Sequence, residues 1–191
     1  ATTSQTEEKV LNEEQFKDIM KTNFNTFTFN FNEDFYFCIN GNLYVVKKLE
    51  MGFSDDHFFS EHIFNIIEPV LKNNNILKIV ADLKAIMHKF KTAQIFNVYD
   101  ISLASYLISG GNKPEIFNDC SKYEDIYKDQ KERLNNDGMA DLYNNIELPL
   151  EYVLYNMEQE GFAMDKQALN SLKNSYKAKM ESLEQQIKAY S

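Results

Sequence analysis

Cysteine, positive charge and long apolar runs are all scarce in this sequence, and each scarcity removes a class of protein. Two cysteines, Cys38 and Cys120, in 191 residues are too few for a disulfide framework. Two free thiols in a reducing cytoplasm are expected instead. No apolar run approaches the roughly 20 residues of a membrane-spanning helix, and the N-terminus lacks a signal-peptide pattern, so no membrane partner is expected. Lysine and arginine total 20 against 29 aspartate and glutamate, a net charge of −9. That balance counts against strong autonomous DNA binding, which needs clustered cations against phosphate. In a longer protein, Lys47-Lys48, Lys89 with Lys91, and Lys173, Lys177 and Lys179 are the groups placed to touch phosphate.

Several catalytic patterns are missing as well. There is no glycine-rich phosphate loop, and Gly110-Gly111 is too little to count as one. No Gly-x-Ser-x-Gly or Cys/His arrangement suggests nucleophilic catalysis. His57, His62 and His88 lie in no metal-ligand spacing; the first two are five apart, off the helical i, i+4 interval. Acidic runs such as Tyr123-Glu124-Asp125 and Glu158-Gln159-Glu160 read as solvated faces.

What is present supports a folded domain with an appendage. Hydrophobic residues make up 43%, and 15 Phe with 11 Tyr supply a core. Residues 1–10 read as a polar tail. A helix over 12–22 starts from an Asn12 cap with Gln15 at the third position, as in a capping box. Strands follow at 24–32, 34–40 and 43–48. The first alternates strictly, with Phe27, Phe29 and Phe31 on a core face and Thr26, Thr28, Asn30 and Asn32 opposite. Gly41-Asn42 is expected to turn the hairpin between the other two. Helical periodicity predicts helices at 60–72, 83–91 and 101–109, with short strands at 76–81 and 95–98 between them. Helices at 122–136 and 140–159 follow, the second kinked at Pro149, and Gly161 ends it. Asp165 caps a last helix with an apolar stripe of Leu169, Leu172, Tyr176, Met180, Leu183, Ile187 and Tyr190. That stripe is expected to fold back on the domain or to pair with another chain.

Two segments carry a resemblance to a known family. Ile146-Glu147-Leu148-Pro149-Leu150, Met157-Glu158, Gly161, Asp165 and Leu183-Glu184 resemble the passage in family A DNA polymerases (bacterial DNA polymerase I type) from the 3′→5′ exonuclease-like domain to the polymerase domain. Asn97-Val98-Tyr99-Asp100-Ile101-Ser102-Leu103-Ala104-Ser105-Tyr106-Leu107-Ile108 resembles a Phe-Asp-Thr-x-Leu-x-Ser-Tyr-Leu-Leu segment of those exonuclease domains. The resemblance covers about residues 24–191. It implies an α/β fold with a ribonuclease H-like mixed sheet and flanking helices, and C-terminal helices leading to the polymerase thumb. The order of three strands followed by αβαβα fits such a sheet. The implied division is a tail and short helix over 1–22, a degenerate exonuclease-like domain over 23–138, and the first polymerase helices over 139–191. The interval from Gly110 to Glu147 looks shorter than in proofreading members, so part of the domain is expected to be trimmed after Gly111. The chain begins at Ala1 and still reads as helix at its end, so a piece of a longer protein is expected.

Proofreading members of the family hold two divalent metals through four carboxylates. Mg²⁺ demands anionic oxygens at roughly 2.0–2.1 Å, so such ligands are hard to replace. The first motif, Asp-x-Glu, aligns with Asn30 and Asn32: the spacing survives and the charge is gone. Glu33 and Asp34 follow, but the pleat aims them in alternate directions. The second motif, Asn-Leu-Lys-Tyr-Asp, aligns with Asp82-Leu83-Lys84-Ala85-Ile86, which puts Ile86 at the metal-binding position. Asp82 stands roughly 6 Å away along the helix axis and reads as an N-cap. The third motif, Tyr-x-x-x-Asp, is absent; Tyr143 is followed at that interval by Glu147, and Tyr123 by Tyr127.

The resemblance therefore implies a fragment of a DNA-directed DNA polymerase whose exonuclease-like part is an inactive scaffold. No catalytic residue, metal or cofactor is expected in the fragment, Mg²⁺ is implied for the parent, and DNA contact is weak or absent outside it. The rest of the polymerase chain is the implied partner and the cytoplasm the implied location. Two alternatives stand beside this reading. One is a metal-dependent exonuclease with relocated carboxylates, such as Asp34, Asp82, Asp100 and Asp125. The other is an interaction module acting through its last helix.

Overall fold

Alternation in the phenylalanine-rich segment builds the sheet, because side chains two apart share one face of a strand. The computed structural model describes residues 8–112 and 117–189. Residues 1–7 of the expected tail over 1–10, residues 113–116 in the interval expected to be shortened, and Tyr190 of the apolar stripe lie outside these. Its strands are β1 (Lys9–Val10), β2 (Thr26–Phe31), β3 (Phe35–Ile39), β4 (Asn42–Val46), β5 (Leu77–Val80) and β6 (Val98–Asp100). They form one mixed sheet in the order β1-β4-β3-β2-β5-β6. β2, β3 and β4 are antiparallel neighbours, whereas β2-β5, β5-β6 and β1-β4 pair in parallel.

Two hydrophobic clusters lie on the two faces. On the first, Phe27, Phe29, Phe35 and Phe37 pack beneath helices α1 (Glu13–Met20), α2 (Asp56–Leu71) and α3 (Leu83–Phe90). Phe27 and Phe29 are fully buried, and Phe31 packs at the margin. On the second, Leu43, Ile79 and Tyr99 meet helices α4 (Ile101–Ile108) and α5 (Tyr123–Asn136) and a 3₁₀ turn at Cys120–Lys122.

The next helical stretch joins the two faces. It runs as α6 (Ala140–Leu142), a π turn (Tyr143–Glu147) and α7 (Leu148–Glu160). Tyr143 is buried on the second face and Tyr155 on the first, while Leu148 packs against both clusters. The distortion predicted at Pro149 takes the form of this π turn. Proline offers no N–H to the carbonyl four residues back, and widening the preceding turn accommodates that loss.

The structure corrects the sequence reading in three places. The hairpin turns on Asn40 (φ 51°) and Gly41 (φ 75°), one residue earlier than Gly41-Asn42, with Ile39 and Asn42 as the closing pair. Both central residues need positive φ, which asparagine and glycine tolerate. Lys9–Val10 is an edge strand rather than tail, because β4 pairs with it at Tyr44 and Val45. The strand expected at 95–98 instead starts at Val98 and runs to Asp100, while Ile95 fills the first core from a loop. The capping box at Asn12 and Gln15 is present as predicted.

Residues 1–158 and 159–191 are two compact units. In the second unit Asp165 caps α8 (Lys166–Ala189) through the backbone N–H groups of Gln167 and Ala168. Among the described residues, no helix is long and apolar enough to cross a membrane.

Candidate functional site

β2 carries the first two candidate positions, and its alternation sends Asn30 to the second face. There a segment 88 residues downstream runs beside the strand. Thr28 donates its hydroxyl to the Cys120 carbonyl at 2.7 Å, and Asn30 donates Nδ2 to the Asn118 carbonyl at 3.1 Å. The Asn30 Oδ1 accepts the Phe31 N–H at 2.8 Å. Both ends of this amide are therefore engaged by the protein itself. Asn32 lies past the strand end and opens onto a cleft of about 250 Å³, lined also by Glu8, Tyr36, Leu43, Asn118, Asp119 and Cys120.

Ile86 sits elsewhere. It is buried in the first cluster, on the opposite face from Asn30 and in company with Phe29, Met87 and Phe90. At the end of the same helix Lys89 lies 3.9 Å from the Phe31 ring centroid, and partial burial lowers its pKa. The three aligned positions thus present two neutral amides on one side and a hydrocarbon on the other. These residues do not fit a pair of divalent metals, which require anionic oxygens from both motifs.

The four acidic residues considered as relocated ligands have separate tasks. Asp34 accepts the Lys48 N–H at 2.8 Å. Asp82 caps α3 through the Ala85 N–H at 2.9 Å and holds a left-handed backbone at φ 64°. Asp125 is exposed in the first turn of α5, where Lys128 lies 3.3 Å away. Asp100 is buried at the end of β6 and accepts the N–H groups of Ser102 (2.8 Å), Leu103 (3.0 Å), Asp82 (3.3 Å) and, at short range, Leu83. It anchors the starts of two helices at once. Tyr143 completes the anchor, accepting the Asp100 N–H at 2.8 Å and donating to its carbonyl at 3.2 Å. Burial pushes the Asp100 carboxyl up, and the backbone N–H bonds pull it down. Among the described residues, no group of three or more His, Cys, Asp or Glu side chains is arranged to hold a metal ion.

The third-motif candidates are likewise part of the packing. Tyr123 donates to the Phe117 carbonyl at 2.9 Å, and Tyr127 sets its ring edge-on to Tyr99 at 4.7 Å. Sequence reasoning missed Asn118 and Asp119, which form the wall of the cleft. The signal available was the Asp119-Cys120-Ser121 cap of the 3₁₀ turn, where Asp119 Oδ1 takes both the N–H and the hydroxyl of Ser121. It also missed the contact between α3 and α7, where Glu158 bridges Lys84 at 2.8 Å and His88 at 2.5 Å.

Comparison with known proteins gives a consistent picture. No family model matches the chain. DNA polymerase I of Caldicellulosiruptor bescii is 32% identical over 146 residues, which is 64% of this chain and 17% of that protein. The chain therefore spans about a sixth of the length of this curated relative. Among solved structures, the POL domain of Pol1 from M. smegmatis, in complex with DNA primer-template and dNTP, aligns with a TM-score of 0.67 and 14% identity. The match covers 92% of this chain and 36% of that one. The catalytic core of RRP6 from Trypanosoma brucei aligns at 0.58 and 12%, covering 80% and 54%. Brucella melitensis NrnC aligns at 0.51 and 12%, covering 83% and 95%. At such identities these structures establish the fold alone, which is the ribonuclease H-like exonuclease fold. Taken with that fold, the sequence match makes this chain similar to family A DNA polymerases of the DNA polymerase I type.

Proposed function

We propose that this chain is the exonuclease-like portion of a DNA polymerase I-like DNA-directed DNA polymerase, working as a scaffold without proofreading chemistry. The observation that carries the reading is the fate of the aligned metal positions. Asn30 spends its amide on the Asn118 carbonyl and the Phe31 N–H, and Ile86 is core on the other face. A nuclease of this type would need carboxylates at those places to bind metal and activate water.

In the parent, template-directed nucleotide addition in replication and repair would be carried by other residues, with Mg²⁺ there and DNA as the partner. The scaffold holds the helical stretch from Ala140 to Glu158 against both faces of its sheet through Tyr143, Leu148 and Tyr155. The reading carries a cytoplasmic setting with it, in which Cys38 and Cys120, both buried, stay free thiols.

The test is degradation of 3′-labelled single-stranded DNA by the purified chain, with Mg²⁺ and separately with Mn²⁺. No product above a metal-chelated control is expected. The double variant Asn30→Asp/Asn32→Glu should stay inactive, because Ile86 still blocks the second motif. Metal-dependent laddering from the 3′ end that is lost in Asp82→Ala would overturn the scaffold reading and favour relocated carboxylates.

A further inference from the structure

The face of β2 that carries Asn30 is covered from within the chain. Residues 117–122 pass over it in the opposite direction to the strand. Two side chains two apart on β2 meet two carbonyls two apart above them: Thr28 donates to Cys120 at 2.7 Å and Asn30 to Asn118 at 3.1 Å. The segment is also braced within itself. Tyr123, fully buried, donates its hydroxyl back to the Phe117 carbonyl at 2.9 Å. Asp119 Oδ1 accepts the Ser121 N–H at 3.1 Å and the Ser121 hydroxyl at 2.6 Å. The Cys120 side chain is buried below, in the cluster with Leu43 and Ile79.

The chemistry of position 30 decides whether this contact exists. An asparagine amide both donates and accepts, whereas an ionised aspartate only accepts. Aspartate there keeps an acceptor for the Phe31 N–H but sets an anionic oxygen against the Asn118 carbonyl oxygen. Loss of the metal-binding charge and gain of the contact are therefore one change. β2 already has β3 and β5 as its two neighbours, so the segment is tied down by side chains rather than by a backbone ladder.

We propose that residues 117–122 form a strap closed over the second face of β2, with Asn30 as its latch, which shuts that face to a metal ion or the end of a nucleic-acid strand. This rests on the scaffold reading, in which position 30 is no longer a ligand. The strap opens locally, leaving the first face folded.

Thiol labelling tests this, with Cys120 as the strap's own reporter. Burial holds its thiol above the usual value, so it reacts when the strap lifts. Cys38→Ala in the full chain leaves Cys120 as the one thiol. Its modification by N-ethylmaleimide is then followed by mass spectrometry without denaturant. Asn30→Asp should speed labelling about tenfold, and Thr28→Val, which strands a buried carbonyl, by at least as much. Ile63→Val, in the core of the first face, should lower the urea midpoint but leave the labelling rate within about twofold. An unchanged rate in Asn30→Asp would overturn the proposal. So would equal acceleration by Ile63→Val, because the thiol would then report unfolding of the whole domain. The nuclease assay reads the scaffold function separately, so either can fail without being mistaken for the other.

Discussion

Replacing Asp100 with alanine separates an anchor from a relocated metal ligand. The carboxylate caps α4 through Ser102 and Leu103, and it holds the entry to α3 through Asp82 and Leu83. Loss of a helix cap costs about 0.5–2 kcal/mol. A buried N–H left without an acceptor costs about 1–3 kcal/mol, and the Leu83 N–H would be one. Relief from burying the carboxyl group offsets part of this, so the net loss should be on the order of 3 kcal/mol. With a urea slope of about 2 kcal/mol per molar, the unfolding midpoint should fall by about 1.5 M. Asp100→Asn should lose less, about 2 kcal/mol, because one oxygen still accepts while the new amide hydrogens face donors. A relocated metal ligand would behave in the opposite way. Its removal would relieve repulsion among neighbouring carboxylates and leave the midpoint unchanged or higher. A loss below about 1 kcal/mol for Asp100→Ala would refute the anchoring role.

Further perturbations probe the core and the junction. Phe29→Ala should cost about 3–5 kcal/mol by urea unfolding, since the ring is fully buried among Phe27, Phe35 and Phe90. Phe58→Ala, at an exposed ring, should change stability by less than about 0.5 kcal/mol; equal losses at the two sites would contradict the burial pattern. Glu151 has its carboxyl raised to about 6 by burial, with Asp100, Asp82 and Glu158 adding repulsion and Lys84 opposing them. A raised acid stabilises the fold fully below its unfolded value of about 4.3, and that contribution is lost as the pH rises through about 6. Glu151→Gln should therefore match the parent at pH 4 and exceed its thermal midpoint at pH 7.5. A difference that is largest at pH 4 would reverse the assignment.

Elements whose physics is local are legible in the order of the amino acids. Period-two phenylalanines fixed the faces of β2, the Asn12-Gln15 capping box fixed the start of α1, and apolar intervals of three and four fixed the helices. The identity of the aligned positions was equally legible, because the charge at residues 30, 32 and 86 is a property of side chains alone. Pro149 announced a distortion, though not that a π turn would absorb it. Features that depend on groups far apart in the chain emerge from the folded arrangement. Lys9–Val10 is a strand because β4 offers it partners, not because two residues can specify one. Asn30 is spoken for because Asn118, 88 residues away, lies beside it, and Ile86 is core because α3 turns that side toward Phe29. Asp100 reads in the sequence as one carboxylate among many. Its role as the shared anchor of α3 and α4 exists because parallel pairing of β5 and β6 brings both helix starts to the same buried oxygen atoms.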